Sequence, residues 1–327
     1  MSIILRIRSY AFILIYTFSP AKLTLIPNFM RLKTFDASSI TPTEMQVFLH
    51  HAIAPRPICF ASTVNKNGDV NLSPFSFFNV FSVDPPICVF SPSNKGRDNN
   101  TKHTLENVLD VPECVINIVN YDMVQQTYLT SKDYPRGVNE FSKAGFTELA
   151  SETVKPPRVA ESTVQLECVV NDVIALGKNG GAGNLVIAEL KRVHVNEDIL
   201  DANGKIDPYK IDLVARLGGD WYCRVTRDNL FKIAKPIDNT GLGIGVDAFP
   251  EAIKNSKVLT GNNLGLLGLI KTLPTVEEIE VFRKSDEIKE MLNGSLDSQD
   301  RTTSLHLKAK LLLEDGRVID AWKVLLM

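Results

Sequence analysis

The segment Ser73 to Asn79, "SPFSFFN", interleaves phenylalanines with small polar residues, an unusual pattern for a soluble chain. On a strand, it would offer a flat ligand an apolar wall with several hydrogen-bonding groups. Pro74 cannot donate to a sheet ladder, so it predicts an edge strand or a bulge. Ser76 and Asn79 would face opposite sides of a regular strand, unless that strand bends or ends near Phe78. Taken alone, the segment favours a simpler interpretation, a sheet core whose serines satisfy backbone groups.

A second candidate is the turn "SNKGRDNNTKHTLENV", which places cations and hydroxyls ahead of a predicted helix. The N-terminus of a helix has free amides and the positive end of the helix dipole. Lys95, Arg97 and Lys102 around it could therefore bind a phosphate. The alternative is a solvated basic loop, capped by Asn100 or Thr101.

Hairpins and short strands dominate the chain up to about residue 230. The β-rich run Pro57 to Val64 is followed by "NKNG", and Asn-Gly tolerates the positive φ of a tight turn. The return is predicted as one strand over 69–81. Further strands are predicted at 85–91, 113–119, 164–176 and 184–195, and helices at 99–110 and 121–131. Few helices among many hairpins favour a mainly β fold, an antiparallel barrel with peripheral helices.

The sequence divides into three segments. Residues 1–29 contain two arginines before a short apolar run, which is typical of a weak signal peptide or of translation from an upstream start codon, and Met30 begins an ordinary polar domain start. We predict a barrel domain over 30–229. The apolar residues at helical spacing after it predict a small helical C-terminal extension over 230–327.

Charge and cysteine content limit the partners. Lys and Arg number 36 against 38 Asp and Glu, a formal net charge of -2, so neither nucleic acid nor an acidic membrane is indicated as a partner. The five cysteines are scattered without a C-x-x-C pair, and the five histidines are also dispersed. This pattern predicts reduced, buried thiols in a cytoplasmic protein and no metal site.

Several motifs stand in the order found in one known family. They are "APRPICFAST", "NLSPFSFFNVFSVDPPICVF", "TKHTLEN", "NEFSKAGF" and "ESTVQLECVV". From about Met30 to Arg224 the chain resembles the flavin reductase-like proteins, the flavoredoxin-type branch of the FMN-binding split-barrel families. The resemblance implies a Greek-key split β-barrel that forms a homodimer and binds FMN noncovalently near the subunit interface.

The resemblance also implies a cofactor site. Ser62 and Thr63 would lie near the ribityl-phosphate, and the segment from Ser76 to Asn79 would contact the edge of the isoalloxazine ring. Many relatives carry Asp where this chain has His103. Arg216 or Tyr222 would approach the site from the segment that closes the barrel. The implied cofactor-binding residues are Ser62, Thr63, Ser76, Phe77, Phe78, Asn79, Arg97, Thr101, Lys102 and Thr104.

The implied activity is that of an oxidoreductase in which NAD(P)H reduces bound FMN. Electrons would then pass to a flavin, a small acceptor or a partner protein. Because the flavin carries the hydride chemistry, no protein residue is expected to be an indispensable acid or base. Two alternatives stay open, a non-enzymatic FMN-binding electron carrier and a split-barrel module that binds another ligand, such as haem or pyridoxal phosphate.

Overall fold

A computed structural model describes residues 31–96, 99–233, 243–292 and 298–327 of the chain. The strands are β1 (Arg56–Pro57), β2 (Cys59–Val64), β3 (Val70–Phe75), β4 (Phe78–Val83), β5 (Pro86–Phe90), β6 (Glu113–Ile118), β7 (Glu148–Leu149), β8 (Arg158–Val159), β9 (Val164–Ala175), β10 (Asn184–Val195), β11 (Val214–Arg216) and β12 (Tyr222–Arg224). The helices are α1 (Pro42–Ala52), α2 (His103–Asp110), α3 (Val124–Leu129), α4 (Glu140–Ala144), α5 (Glu251–Lys254), α6 (Gly261–Leu267), α7 (Val276–Arg283), α8 (Asp286–Leu292), α9 (Ser298–Glu314) and α10 (Val318–Leu325).

The predicted hairpin at "NKNG" is confirmed, and it joins β2 to β3. The side chain of Asn65 folds the turn, because its Oδ1 accepts hydrogen bonds from the amides of Asn67 and Asp69, each at 2.9 Å. Gly68 has φ +88°, a conformation that L side chains rarely adopt. The turn fixes the register in which Cys59 pairs with Phe75 at the far end of the hairpin.

Seven strands form one antiparallel sheet in the order β3-β2-β6-β9-β10-β5-β4. The consecutive strands β3 and β4 therefore lie at opposite edges of this sheet. The single strand predicted over 69–81 is wrong, because the chain leaves one edge at Phe75 and joins the other at Phe78. A bend at Ser76 and Phe77 connects the two edges of a split barrel. The edge position expected from Pro74 is confirmed, since β3 pairs only with β2.

Four cysteines lie inside this sheet. Cys59, Cys88, Cys114 and Cys168 are buried in a cluster that also contains phenylalanine, valine and leucine side chains. The predicted burial is confirmed for these four, whereas Cys223 is only partly buried on β12. Among the described residues, no group of three or more His, Cys, Asp and Glu side chains could hold a metal ion.

The residues from Phe231 onward form a second compact unit. Trp322 is fully buried there, and its indole nitrogen donates to the carbonyl of Leu267 at 2.9 Å. Phe249 packs edge-on against the Trp322 ring at 4.9 Å. The predicted helical character is confirmed, and Asp315 and Gly316 lie between α9 and α10, with Gly316 at φ +73°. None of the described helices is long and apolar enough to cross a membrane.

Candidate functional site

The bend between β3 and β4 is held by three neighbouring elements. Arg56 of β1 donates from Nε to the hydroxyl of Ser76 at 3.3 Å. The ring of Phe77 meets His50 of α1 edge-on, with centroids 5.5 Å apart. The carbonyl of Phe77 accepts from the amide of Ser91, just beyond β5, at 2.9 Å. These contacts fix the two residues that connect the edges of the sheet.

A cavity of about 590 Å³, which we call the main cavity, opens beside this bend. Its volume is within the range of small-molecule sites. The segment from Ser73 to Phe77 forms part of its lining, and further lining residues come from the loop after β5, the N-cap of α2 and the residues that follow α3. The remaining lining residues are Gln46, His50, Ser91, Ser93, Asn94, Lys95, Gly96, Lys102, Ser131, Lys132 and Asp133. The cavity thus combines aromatic and apolar surface with hydroxyls and three lysines.

Ser91 is the most informative lining residue. Its side chain is 8% exposed, and no other described residue forms a hydrogen bond to its Oγ. A side chain at position 183 would collide with this hydroxyl, since a Cβ added to Gly183 would stand 2.6 Å from Ser91 Oγ. A buried hydroxyl without a partner costs free energy. A ligand in the cavity would satisfy this hydroxyl if the Ser91 side chain turned from Gly183 towards the cavity.

The basic end of the cavity lies at the N-terminus of α2. Lys102 is the N-cap residue of this helix and makes no side-chain capping bond, so its ammonium group is not used to hold the helix. Lys95 forms an ion pair with Asp133 at 2.6 Å. Burial lowers the pKa of His103, and the charges of Arg136, Lys95 and Lys102 lower it further, against an opposing effect of Asp133. The neutral form of His103 is therefore favoured beside these cations.

The hairpin between β9 and β10 supports the loop that carries Lys95. Asn94 exchanges backbone hydrogen bonds with this hairpin, donating to Ala182 at 2.9 Å and accepting from Gly181 at 3.0 Å. Gly180 approaches the loop closely, because an added Cβ would lie 3.1 Å from the carbonyl oxygen of Lys95. The glycines of "GKNGGAG" therefore allow the hairpin to pack against the wall of the cavity.

A second cationic group lies on the other side of the bend. Arg56 is 7% exposed, and besides Ser76 its guanidinium donates to the carbonyls of His50, Ile53 and Leu217, at 2.7 to 3.1 Å. Burial and the charge of Arg216 lower the pKa of Arg56. Burial, Arg56 and Arg216 likewise lower the pKa of His50. Burial and the neighbouring cations thus make the protonated forms of Arg56 and His50 less stable than they would be in water.

Two smaller cavities continue from the bend. One, of about 140 Å³, shares Pro74, Phe75, Ser76 and Ser131 with the main cavity and reaches Arg216. The next, of about 360 Å³, shares Arg216 with it and extends towards Arg224. The loop between β11 and β12 needs glycine here, because a Cβ on Gly218 would overlap the ring of His51 at 2.4 Å.

The structure brings three of the predicted cofactor residues together at the main cavity, namely Ser76, Phe77 and Lys102. The other described ones do not line it. Ser62 donates to the carbonyl of Pro157, and Thr63 accepts from Asn107 at 3.1 Å. Both are fully buried inside the barrel wall.

The remaining predicted residues have local partners. Thr104 is buried and accepts from Asn71 at 2.9 Å, and Phe78 packs against the barrel core. Asn79 is exposed on β4, and Thr101 donates to Glu106 of α2. The predicted capping by Asn100 or Thr101 is wrong, because the N-cap of α2 is Lys102. Arg97 lies outside the described residues.

Sequence reasoning missed Ser91 and the segment from Ser131 to Asp133. Ser91 ends "PPICVFS", and a hydroxyl residue directly after a buried strand was an available signal. Ser131, Lys132 and Asp133 follow α3, about twenty residues beyond the end of α2, and no local pattern relates them to the main cavity. Only the closure of the barrel brings them to the same wall.

Comparisons with known proteins agree with this architecture. The family model described as "Flavin reductase like domain" matches residues 51–210. An uncharacterised protein of Aquifex aeolicus is 36% identical over 181 residues, which is 55% of this chain and 90% of that protein. Nitrilotriacetate monooxygenase component B of Bacillus cereus is 27% identical with a TM-score of 0.59, covering 63% of this chain and all of that one. A flavin reductase with a split barrel domain from Shewanella frigidimarina is 25% identical with a TM-score of 0.52, covering 61% and 95% of the two chains.

Proposed function

Since this chain belongs to the flavin reductase-like family, we propose that it is an FMN-dependent oxidoreductase that uses NAD(P)H as electron donor. Electrons would pass to a flavin, a small organic acceptor or a partner protein. The observation that carries this proposal is the main cavity, which combines the aromatic wall from Ser73 to Phe77 with the lysines at its basic end.

The chemistry of the lining residues fits FMN. Lys102 at the N-cap of α2, and Lys95 on the loop after β5, would hold the phosphate through charge-assisted hydrogen bonds. The wall from Ser73 to Phe77 would lie along the ring, with the hydroxyl of Ser76 at its polar edge. When bound, the flavin supplies the hydride and electron transfer chemistry.

The contribution of the protein is binding and orientation. Arg56 holds Ser76, and the contact between His50 and Phe77 holds the bend, so the wall is formed before a ligand arrives. The lowered pKa of His50 keeps this neighbour neutral near pH 7. No side chain in this proposal gives up or takes up a proton as an essential step.

The first experiment is the visible absorption spectrum of the purified protein, with the released cofactor identified by chromatography. A flavin spectrum that yields FMN supports the proposal, whereas a colourless protein that fails to bind added FMN contradicts it. Steady-state oxidation of NADH and NADPH follows. A protein that carries FMN but oxidises neither nucleotide would be an electron carrier that another protein reduces.

The phosphate assignment has a separate test in Lys102→Ala. Because Lys102 makes no side-chain cap, the substitution should leave α2 intact and weaken FMN binding by about tenfold. Lys66→Ala is the control, since Lys66 is an exposed lysine paired with Asp110 away from the main cavity. Unchanged FMN affinity in Lys102→Ala would count against α2 as the phosphate site.

A further inference from the structure

We propose that the two smaller cavities form a second ligand site, which binds a small aromatic carboxylate next to the flavin. We call it the Arg216 site, and it is lined by Ser76, Tyr121, Tyr128, Arg216, Tyr222 and Arg224 among others. This proposal depends on the proposed function in one respect, namely that the ligand of the neighbouring main cavity is a flavin. The Arg216 site itself is formed by the residues of this chain.

Arg216 carries a positive charge that no carboxylate of the described residues compensates. Arg56 and Arg216 are Cα partners across β1 and β11, and the charge of Arg216 lowers the pKa of Arg56, so the two guanidinium groups lie near each other. Among the residues that the structure describes, no carboxylate lies within ion-pair distance of either one. Asp220 lines the larger of the two cavities but is exposed and pairs with neither. Arg56 already donates to Ser76 and to three carbonyls, so the uncompensated guanidinium that a ligand in these cavities would meet is that of Arg216.

A comparison with Arg224 supports this point. Arg224 lines the same cavity, but Asp212 neutralises it through two hydrogen bonds of 2.7 and 2.9 Å. The N–H donors of the Arg224 guanidinium are therefore already paired with a carboxylate of the protein. Arg216 carries the same group without such a partner, so its N–H donors are available for a carboxylate of a ligand.

Tyrosine rings line the Arg216 site. The guanidinium of Arg216 stacks on the ring of Tyr222 at 4.5 Å, and that of Arg224 on Tyr121 at 3.7 Å. Tyr128 completes the lining and belongs to both smaller cavities. The stacking holds the guanidinium of Arg216 in place, and the tyrosine rings give an apolar surface for a flat ligand.

The size and position of the Arg216 site also support the proposal. The larger cavity, of about 360 Å³, lies near the lower end of small-molecule sites, which suits one or two rings. The smaller cavity connects it to Ser76, which also lines the main cavity. A ring anchored by its carboxylate on Arg216 would therefore extend towards the cavity proposed for the flavin.

The test is equilibrium binding of benzoate to the purified protein, measured by calorimetry with and without FMN. Benzamide is the neutral ligand control, and phenyl phosphate distinguishes a phosphate-bearing ligand. We expect benzoate to bind at least tenfold more tightly than benzamide. Arg216→Gln should weaken benzoate binding by about 10- to 100-fold and leave benzamide binding unchanged.

Arg227→Gln is the matched protein control. Arg227 also stacks on a tyrosine, Tyr209 at 4.0 Å, but lines neither of the smaller cavities. This variant should bind benzoate like the original protein. If Arg216→Gln does not fold, Arg216→Lys serves instead, because lysine keeps the charge without the planar fork and should give an intermediate loss.

Equal affinity for benzoate and benzamide would overturn the proposal, as would unchanged benzoate binding in the Arg216 variants. Tighter binding of phenyl phosphate than of benzoate would also overturn it and assign the Arg216 site to a phosphate-bearing ligand. Failure of the proposed function is distinguishable, because a protein that does not bind FMN can still be titrated with benzoate.

Discussion

Removal of the Ser91 hydroxyl should have opposite effects on two properties of the protein. It should increase the stability of the FMN-free protein and weaken the binding of FMN. The hydroxyl is buried in the wall of the main cavity without a partner among the described residues. Ser91→Ala should raise the free energy of unfolding of the FMN-free protein by about 1 kcal/mol, since an unsatisfied polar group is removed. The same change should weaken FMN binding by roughly fivefold, as expected for one lost neutral hydrogen bond.

Thr163→Val is the matched control for this experiment. The Thr163 hydroxyl is also buried without a partner among the described residues, but Thr163 does not line the main cavity. Urea denaturation of the FMN-free proteins should show both variants stabilised, and flavin fluorescence titration should show weaker binding only for Ser91→Ala. Unaltered FMN affinity in Ser91→Ala would remove this hydroxyl from the cofactor site.

For the individual residues, only part of the site could be predicted from sequence. Ser76, Phe77 and Lys102 stand in compact motifs, and the structure brings them to one cavity. Ser62 and Thr104 stand in equally recognisable motifs, but their side chains are buried with protein partners. Sequence order identifies a motif, whereas the direction of each side chain depends on which strand or helix packs behind it.

Among the elements, the long hairpin of β9 and β10 was predictable and the break in "SPFSFFN" was not. The hairpin depends on two extended β runs and a glycine-rich turn, all of which are local signals. The break arises because β3 pairs with β2 while β4 pairs with β5, at the other edge of the sheet. Such pairing is decided by the closure of the whole sheet, to which local patterns are insensitive.

The strand β9 also carries a buried carboxylate that anchors the loop before β8. Glu167 accepts from the amides of Glu152 and Thr153 at 2.9 and 2.6 Å, and from His194 of β10 at 2.8 Å. Burial alone would raise the pKa of Glu167, but the hydrogen bonds from Thr153, Glu152 and His194 together lower it to about 2. The ionised form is therefore stabilised by folding.

Because folding lowers the pKa of Glu167, its contribution to the stability of the protein depends on pH. The folded pKa of Glu167 lies below the ordinary value of 4.5, so its contribution is complete above about pH 4.5 and is lost as the pH falls towards 2. Glu167→Gln should lower the free energy of unfolding by roughly 3 kcal/mol at pH 7 and by much less at pH 3. Urea denaturation at both pH values measures the difference.

Glu161→Gln provides the control for the Glu167 experiment. Glu161 also accepts a backbone amide, that of Thr147 at 3.0 Å, but its side chain is exposed. Its substitution should change stability little at either pH. A Glu167→Gln deficit that stays constant between pH 7 and pH 3 would show that the ionised carboxylate is not the stabilising form.

For the molecule as a whole, the edge strand β4 is notable because it exposes several apolar side chains. Val80, Phe81 and Val83 are 59, 69 and 87% exposed on this strand. The register shifts between Val80 and Ser82, so Phe81 occupies a bulge. Apolar side chains on a sheet edge are an aggregation hazard unless another surface covers them. We propose that a second copy of the chain does so, as in the homodimer that the family resemblance implies.

Phe81→Glu should therefore shift the protein from dimer to monomer, because a carboxylate buried against apolar side chains without a partner costs several kcal/mol. Size-exclusion chromatography with light scattering measures the mass.

Leu109→Glu is the control, since Leu109 is similarly exposed, at 64%, on α2 and outside β4. It should leave the mass of the dimer unchanged. A Phe81→Glu protein that stays dimeric would place the subunit interface elsewhere, and a monomeric original chain would leave β4 uncovered. If the monomeric variant also loses FMN while Leu109→Glu retains it, then the second copy completes the cofactor site.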